Sequence, residues 1–299
     1  MYKRSLSQLI LQITSRTIEA MFIAVPMVLI SYSLEEAKVA ANSVEVRLNR
    51  NTQAVFDGHS GISRTKIQKL ATATTVRILI FDKSGTVITS GSGVIVGKLE
   101  NTYRVLTNLH VLQFADRAVI LTPDGLQHSL ISQSHTAKFG DKDMAIAQFQ
   151  SSQRYEIAQI QREPLQIGDR VFAAGFPIYQ DQSLVTTFEL GLQAFRLTEG
   201  IVSLLPAKSL TQGYQLGYSN DIVVGMSGGP IFDEAGFLVG INGRIKNRDP
   251  DFGGYTFDDG TEPSPMLLQQ MLKASWGIPI TTYLQFSIHS QKISSATRC

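Results

Sequence analysis

Cysteine is almost missing from this chain: its 299 residues include one, Cys299, so no disulfide bond can form within the chain. Charged residues are also few, at 17%, and the formal net charge is only +2. A balance this close to neutral does not predict binding to nucleic acid or to an acidic surface. Hydrophobic residues make up 43% of the chain, which is enough for a globular protein with a sizeable core.

Several motifs for cofactors and metals are absent as well. The chain has no G-x-x-x-x-G-K-[ST] loop that would cradle phosphates. It also has no C-x-x-C or H-E-x-x-H spacing that would hold a metal ion. These absences exclude the nucleotide and metal sites that are most easily recognised in a sequence.

The N-terminal region lacks a long apolar run. Its longest candidate, residues 20–30, has 11 residues, whereas a membrane-spanning helix needs about 20. The run follows a basic lead and precedes small residues, which is the order of a secretory signal peptide. We predict a signal peptide over residues 1–41, with cleavage at residues 39–41 or, alternatively, 31–33. A retained anchor and an amphipathic segment are the other interpretations.

The predicted signal peptide has consequences for location. An exported protein would reside in the periplasm, in a lumen or outside the cell. No stable membrane span is expected after cleavage, whereas retention of the segment would leave the protein anchored to the membrane.

From residue 74 onward the chain consists of short strand-like segments separated by turns rich in glycine, aspartate and proline. This pattern is typical of a β-sandwich or barrel, and no alternation of strands and helices is visible. We predict an all-β protein with two sets of strands, over residues 74–160 and 161–290. Residues 42–73 are interpreted as a connecting segment that ends in a short helix.

The second set has its own predicted elements. Strands are expected at residues 170–174, 184–190, 198–204, 214–218 and 237–242. A short helix is predicted over residues 265–275, where apolar side chains recur at helical spacing, with a last strand over residues 276–280.

A serine lies among three glycines in the loop Gly225-Met226-Ser227-Gly228-Gly229-Pro230, between two apolar strand-like segments. Glycine adopts backbone conformations that other residues resist, so such a loop can direct its N–H groups toward one point. Acyl-transfer chemistry needs that arrangement to stabilise an oxyanion. The pattern G-x-S-G-G-P, followed by a strand that ends in V-G-I, resembles the nucleophile loop of trypsin-like (chymotrypsin-fold) serine proteases.

Two motifs upstream resemble the same family. His110 follows a strand in the sequence T-N-L-H-V, similar to the histidine motif of bacterial trypsin-like proteases, and G-S-G-V-I-V at residues 91–96 resembles the preceding strand. Asp143 opens the sequence D-M-A-I, which resembles the strand start that carries the family's acid. Asp141 is the alternative acid, but it lacks an apolar run directly behind it, and we interpret it as solvated.

The resemblance implies a fold of two antiparallel β-barrels with the active site between them and a short C-terminal helix. It also implies roles: Ser227 attacks the scissile carbonyl, His110 takes its proton, and Asp143 orients the histidine and stabilises the imidazolium. The backbone N–H groups of Gly225 and Ser227 would form the oxyanion hole. Because this chemistry needs neither a metal nor a cofactor, none is expected.

The resemblance places a substrate pocket at Asp221, Gly243 and Ile245. Asp221 lies six residues before Ser227, where members that cleave after Arg or Lys carry an aspartate. Ile245, however, stands where those members have an open glycine, and its branched side chain would crowd a long basic one. Arg244 would also oppose a basic side chain's charge. We therefore favour a role for Asp221 in capping or hydrogen-bonding the loop.

Together the motifs predict an exported serine endopeptidase that hydrolyses peptide bonds in protein or peptide substrates through an acyl-enzyme. The alternative is a catalytically silent trypsin-like module, a pseudo-protease that binds partners without turnover. The presence of all three motifs favours the enzyme, because inactive relatives usually lack one of these residues.

Overall fold

The computed structural model describes residues 62–113, 115–134, 139–160, 163–179, 184–250 and 254–286. The predicted signal peptide of residues 1–41 lies outside the described residues, as does most of the connecting segment that follows it. Within the described ranges, no helix combines the length and the apolar character that crossing a membrane requires.

The first element, helix α1 (Arg64–Thr74), leads directly into the first strand, as predicted. Ser63 caps the helix, because its side chain accepts a hydrogen bond from the backbone N–H of Lys66. Ile67 and Ala71 lie four residues apart on one face of the helix and are fully buried. This helix therefore packs on the body of the protein through a narrow apolar stripe.

Seven antiparallel strands form the first sheet, in the spatial order β5-β4-β1-β2-β3-β7-β6. The sheet curls, since the ring of His128 on β5 lies 4.8 Å from the ring of Phe149 on β7, measured between centroids. Its concave side encloses a core that includes Val76, Ile95 and Val105. The strands are β1 (Thr75–Phe81), β2 (Val87–Leu99), β3 (Thr102–Thr107), β4 (Arg117–Leu121), β5 (Gln127–Ser129), β6 (Ser132–Ser134) and β7 (Ala145–Gln150).

Six antiparallel strands form the second sheet, which closes into a barrel in the order β10-β13-β12-β11-β8-β9. Buried aliphatic side chains such as Val171, Leu216 and Ile231 fill one core of this barrel. The strands are β8 (Arg170–Gly175), β9 (Arg196–Leu204), β10 (Leu216–Tyr218), β11 (Pro230–Asp233), β12 (Leu238–Arg244) and β13 (Ser275–Pro279).

A further buried cluster joins the two sheets. It contains Val94 and Leu106 of the first sheet together with Phe172 and Trp276 of the second, and Ile67 of α1 packs into it. Burying this much apolar surface is the main force that holds the two sheets against each other. The structure thus confirms the predicted all-β fold, with one closed barrel and one curled, barrel-like sheet.

Three further short α-helical segments belong to the described part of the fold. Helix α2 (Leu109–Leu112) is a single turn after β3, and helix α3 (Pro265–Leu272) begins at the capping side chain of Ser264. The predicted helix over residues 265–275 is therefore present, although it ends earlier because β13 begins at Ser275. Residues 280–286 form a last helical segment after β13.

One strand prediction is wrong. Residues 184–190 were expected to be a strand, but Phe188–Ala194 forms 3-10 turns. The physical reason is the partner of its backbone: the carbonyl oxygens of Thr187 and Gly191 accept hydrogen bonds from the guanidinium of Arg77 at 2.8 and 3.1 Å. Backbone groups that bind a buried side chain in this way do not pair with a neighbouring strand.

Candidate active site

His110 sits on the single turn of α2, at the end of β3, and Asp143 binds it at two points. One carboxylate oxygen of Asp143, Oδ1, accepts the backbone N–H of His110 at 2.8 Å. The other, Oδ2, lies 2.6 Å from the imidazole Nδ1. A carboxylate at Nδ1 holds the proton on that nitrogen and leaves Nε2 as the basic atom. The histidine side chain is 45% exposed, whereas that of Asp143 is 4% exposed.

Two hydrogen bonds fix the backbone of Asp143, which lies just before β7. Its N–H donates to the carbonyl of Gln212 at 2.9 Å, and its carbonyl accepts from the side-chain amide of Asn108 at 2.8 Å. Burial works to raise the pKa of Asp143, but hydrogen bonds from His110 and Tyr214 outweigh it, so the pKa is lowered from the ordinary value of 3.8. The group is therefore a carboxylate at neutral pH. Asp141, the alternative acid, is exposed and pairs with Lys142 at 3.0 Å.

The glycine-rich loop before β11 is held in a conformation that leaves two of its N–H groups without an acceptor among the described residues. Gly225 has φ of +98°, which side chains with a Cβ rarely adopt. The preceding carbonyl, of Val224, accepts the N–H of Ile178 at 2.9 Å. In a trans peptide the N–H points opposite to the carbonyl, so the Gly225 N–H faces away from Ile178. Within the described residues, neither this N–H nor that of Ser227 has a hydrogen-bond acceptor.

Ser92 of β2 joins this loop to the first sheet. Its hydroxyl donates to the carbonyl of Gly225 and accepts the N–H of Phe176, both at 2.8 Å, and its own N–H donates to the carbonyl of Ser227 at 2.9 Å. The approach is so close at Gly228 that an added Cβ would overlap Thr107 Oγ1 and the carbonyl of Ser92. The glycines of the loop are therefore needed for close contact as well as for their backbone freedom.

These contacts bring the loop to the end of β3, three residues before His110. An added Cβ at Gly228, the residue after Ser227, would lie 2.9 Å from the backbone nitrogen of Asn108, which precedes α2 and lies two residues before His110. Ser227 is half-buried there. Among the described residues, its hydroxyl donates to the carbonyl of Gly243 at 3.2 Å rather than to His110.

The three residues predicted for the substrate pocket have different surroundings. Asp221 is exposed and forms an ion pair with Arg196 at 3.2 Å. Gly243 is half-buried and its carbonyl accepts the hydroxyl of Ser227, while the nearby Ile245 is 38% exposed. Arg244, expected to oppose a basic substrate, is buried and binds the carbonyls of Thr211 and Gly254 instead.

Three residues beside this site were not identified from the sequence. Tyr214 donates its hydroxyl to Asp143, and Asn242 of β12 donates its side-chain amide to the carbonyl of Met226 in the loop at 3.3 Å. Ser92 belongs to the motif at residues 91–96, but that motif did not predict the bonds of Ser92 to the loop. For Tyr214 and Asn242 no sequence signal exists, because their partners are distant in the chain and are reached only when the sheets pack.

The described residues contain no group of three or more His, Cys, Asp or Glu side chains placed to hold a metal ion. The groups in this part of the structure are an imidazole bound to a carboxylate, a serine hydroxyl and two backbone N–H groups without an acceptor among the described residues. Such a set can accept a proton, supply a nucleophile and stabilise an oxyanion.

Known proteins resemble this chain over the same region. The sequence model for the trypsin-like peptidase domain matches residues 91–241, about half of the chain. The protein named "Probable periplasmic serine endoprotease DegP-like" of Pseudomonas fulva (strain 12-X) is 29% identical over 171 residues, which are 56% of this chain and 31% of that protein. Proteins of the same name from Pseudomonas putida (strain F1) and Buchnera aphidicola (subsp. Baizongia pistaciae) are 30% and 29% identical, over 56% and 53% of this chain and 31% of their own length. The matching part of the chain spans about a third of each of these relatives.

Proposed function

This chain belongs to the family of trypsin-like peptidase domains, and from that premise we propose that it is a serine endopeptidase with the triad Ser227, His110 and Asp143. The observation that carries the proposal is the pair formed by His110 and Asp143, with Nδ1 2.6 Å from the buried carboxylate. This pair is a base whose orientation and tautomer are already set.

In the proposed reaction, Ser227 Oγ attacks the carbonyl carbon of the scissile peptide bond while His110 Nε2 takes the hydroxyl proton. The C–N bond then breaks, His110 gives that proton to the leaving amine, and an acyl-enzyme ester remains on Ser227. A water molecule, deprotonated by His110, hydrolyses the ester and returns Ser227 to its hydroxyl form. Asp143 stays ionised throughout and stabilises the imidazolium.

The negative oxygen of each tetrahedral intermediate would bind the N–H groups of Gly225 and Ser227. Two facts support this role: both N–H groups lack an acceptor among the described residues, and the loop that carries them is fixed from outside by Ile178 and Ser92. Donors that are held in place before reaction cost no reorganisation when the charge develops. Loss of one such donor typically slows acyl transfer about a hundred- to a thousandfold.

One rearrangement is required for this reaction. The Ser227 hydroxyl, bonded to Gly243 in the structure, has to turn toward His110 by rotation about its Cα–Cβ bond. Catalytic hydrogen bonds are often long or misaligned before substrate binds and tighten in the complex. The bond to Gly243 is also the observation that favours the second candidate, a catalytically silent binding module.

Substrate and location belong to the same proposal. The substrate is a protein or peptide, and residues Asp221, Gly243 and Ile245 line the pocket for the residue before the cleaved bond. The ion pair of Asp221 with Arg196 supports a role of Asp221 in holding its loop rather than in selecting basic residues. The relatives' names describe periplasmic proteins, which supports export by a signal peptide over residues 1–41, with residues 74–160 and 161–290 as the two halves of the enzyme.

The test is covalent labelling of the full chain with a fluorescent alkyl-phosphonate, together with hydrolysis of fluorescent casein. We expect the wild type to be labelled and Ser227→Ala to lose labelling and at least about a thousandfold in hydrolysis. The matched control is Ser219→Ala, which removes an exposed serine hydroxyl of the same barrel and should behave as the wild type. A folded wild type without labelling or hydrolysis would instead establish the silent module.

A further inference from the structure

Tyr214 donates the third hydrogen bond to the carboxylate of Asp143. Its hydroxyl binds Oδ2, the same oxygen that accepts Nδ1 of His110. The tyrosine side chain is almost completely buried, with 1% exposed. A donor that shares an acceptor with the imidazole constrains where that oxygen can lie, and so acts on the imidazole through it.

The ring of Tyr214 occupies space that is open only because residue 243 is glycine. A Cβ added at Gly243 would overlap the edge of this ring and its hydroxyl oxygen. Gly243 is also the residue whose carbonyl accepts the Ser227 hydroxyl. The tyrosine therefore reaches Asp143 through a gap beside the proposed nucleophile, and any larger residue at that position would close the gap.

The Tyr214 hydroxyl acts as a donor, and Arg244 packs against one face of the tyrosine ring. Burial, reinforced by the negative charge of Asp143, raises the pKa of Tyr214 well above 10.0, so the phenol keeps its proton. The guanidinium of Arg244 lies 4.0 Å above the ring centroid. Arg244 is anchored in turn by the carbonyl of Thr211 at 3.0 Å and by Gln212 Oε1 at 3.1 Å.

These contacts cross from one sheet to the other. His110 follows β3 and Asp143 precedes β7 of the first sheet, whereas Gln212 and Tyr214 precede β10 and Arg244 ends β12 of the second. The backbone of Gln212 also accepts the N–H of Asp143 at 2.9 Å. Residues beside the second barrel thus hold Asp143 at its backbone and at its carboxylate.

We propose that Tyr214 is a positioning residue for the catalytic pair: its hydroxyl fixes Oδ2 of Asp143, and through that oxygen it fixes the imidazole of His110 relative to Ser227. The proposal rests on the proposed function for its effect on turnover. Its effect on the hydrogen bond between His110 and Asp143 does not depend on turnover.

The deciding variant is Tyr214→Phe in the full chain, which removes the hydroxyl and keeps the ring that Arg244 covers. The matched control is Tyr103→Phe, because Tyr103 is equally buried and donates its hydroxyl to the carbonyl of Gln153 at 2.8 Å, within the first sheet. Two quantities are measured: the kinetics of casein hydrolysis and phosphonate labelling, and the nuclear magnetic resonance signal of the imidazole Nδ1–H. His110→Ala assigns that signal among the five histidines of the chain.

We expect Tyr214→Phe to lower kcat and the labelling rate roughly ten- to a hundredfold with little change in KM, since a buried hydrogen bond to a charged group is lost. The Nδ1–H signal should shift in this variant and stay in place in Tyr103→Phe. If the wild type is unreactive but the signal still shifts only in Tyr214→Phe, the positioning role stands and the proposed peptidase activity falls.

Two other results would overturn the positioning role of Tyr214. A reactive wild type whose kcat, labelling rate and Nδ1–H signal are all unchanged by Tyr214→Phe would overturn the positioning role and leave the peptidase standing. Equal losses in Tyr214→Phe and Tyr103→Phe, with no shift of the signal in either, would also overturn it, because they would show a general effect of removing a buried hydroxyl.

Discussion

At the scale of the single residue, Asp143 gathers more interactions than any other group of the proposed site. Its two carboxylate oxygens accept the backbone and the imidazole of His110 and the hydroxyl of Tyr214. The positive charge of Arg244 lies behind the tyrosine ring. These groups stabilise the charged form against the cost of burial, so the pKa of Asp143 is lower in the folded protein than in the unfolded chain.

This direction predicts how stability depends on pH. A carboxylate with a lowered folded-state pKa contributes stability that is fully present above its unfolded pKa of about 4 and is lost as pH falls through the folded value. We therefore expect the free energy of unfolding of the wild type, relative to that of Asp143→Asn, to decrease between pH 5 and pH 3. Denaturant unfolding at each pH measures the difference.

The variant Tyr214→Phe provides a second test in the same pH titration. Tyr214→Phe removes a donor from the carboxylate, which raises the folded-state pKa of Asp143 toward its unfolded value, so the loss of stability should be smaller than in the wild type and should end at a higher pH. Parallel curves for the wild type and Asp143→Asn over this range would contradict the lowered pKa.

At the scale of the element, strand β1 is linked by hydrogen bonds to the glycine-rich loop that contains Gly225. Arg77 of β1 is buried, and burial lowers its pKa to about 10, which leaves it charged at neutral pH. Its guanidinium binds the carbonyl and hydroxyl oxygens of Thr187, each at 2.8 Å. Thr187 donates its N–H to Ile178, and Ile178 donates to Val224, whose peptide carries the Gly225 N–H. A chain of hydrogen bonds therefore leads from β1 to the proposed oxyanion hole.

Replacing Arg77 by methionine should loosen this chain while filling similar space. We expect a loss of about 1–3 kcal/mol in the free energy of unfolding, because the oxygens of Thr187 and Gly191 remain buried without their donor. Hydrogen exchange at the amides of Thr187 and Ile178 should accelerate, and phosphonate labelling should slow.

Ser90→Ala is the control for this variant, since the Ser90 hydroxyl meets the Arg77 guanidinium in one long contact of 3.3 Å. Its effects should be much smaller. Labelling of Arg77→Met at the wild-type rate would show that the segment around Thr187 does not support the oxyanion loop.

The contrast between β1 and Phe188–Ala194 shows how far sequence patterns reach. Periodic apolar residues report which backbone segments are buried in a sheet, so the strands around Val76 and Phe237 could be predicted from local pattern alone. The apolar run over residues 184–190 carries the same pattern, yet its carbonyls bind a side chain from the other sheet. Local propensity contains no information about such a partner.

The proposed site also contains residues that local motifs predict and a residue that they do not. His110, Asp143 and Ser227 could be predicted as site residues because each lies in a short motif whose residues are neighbours in the chain. Tyr214 meets Asp143 across 71 residues of sequence. Whether its hydroxyl or another group would reach the carboxylate depends on how two sheets pack, which no single segment encodes.

At the scale of the whole molecule, main chain lies against main chain where Ser92 of the first sheet meets the loop of Ser227 and Gly228, and we call this contact the seam. The side chain of Ser92 lies in this seam: it is fully buried and bonds both Gly225, in the loop before β11, and Phe176, the residue after β8. The backbones of Ser92 and Ser227 are joined directly, and Gly228 leaves no space for a side chain between them. The separation of the proposed base and nucleophile is set at this seam.

Ser92→Ala tests the seam. The variant leaves the Gly225 carbonyl and the Phe176 N–H buried without this partner, so we expect a loss of about 2–4 kcal/mol in the free energy of unfolding together with slower phosphonate labelling. Ser275→Ala is matched to it, because it removes a buried hydroxyl that bonds the carbonyl of Asn220 within one barrel. That control should lose about 1 kcal/mol and label as the wild type does. A destabilised Ser92→Ala that labels normally would separate the seam from the site.

A seam made of main chain has an evolutionary consequence. Main-chain atoms are common to all residues, so substitutions that exchange one aliphatic side chain for another inside either barrel leave this contact unaltered. Aliphatic substitutions can therefore accumulate in both cores without changing this contact between the two sheets. The tolerance ends at Gly228, where a single added methyl group would force the sheets apart.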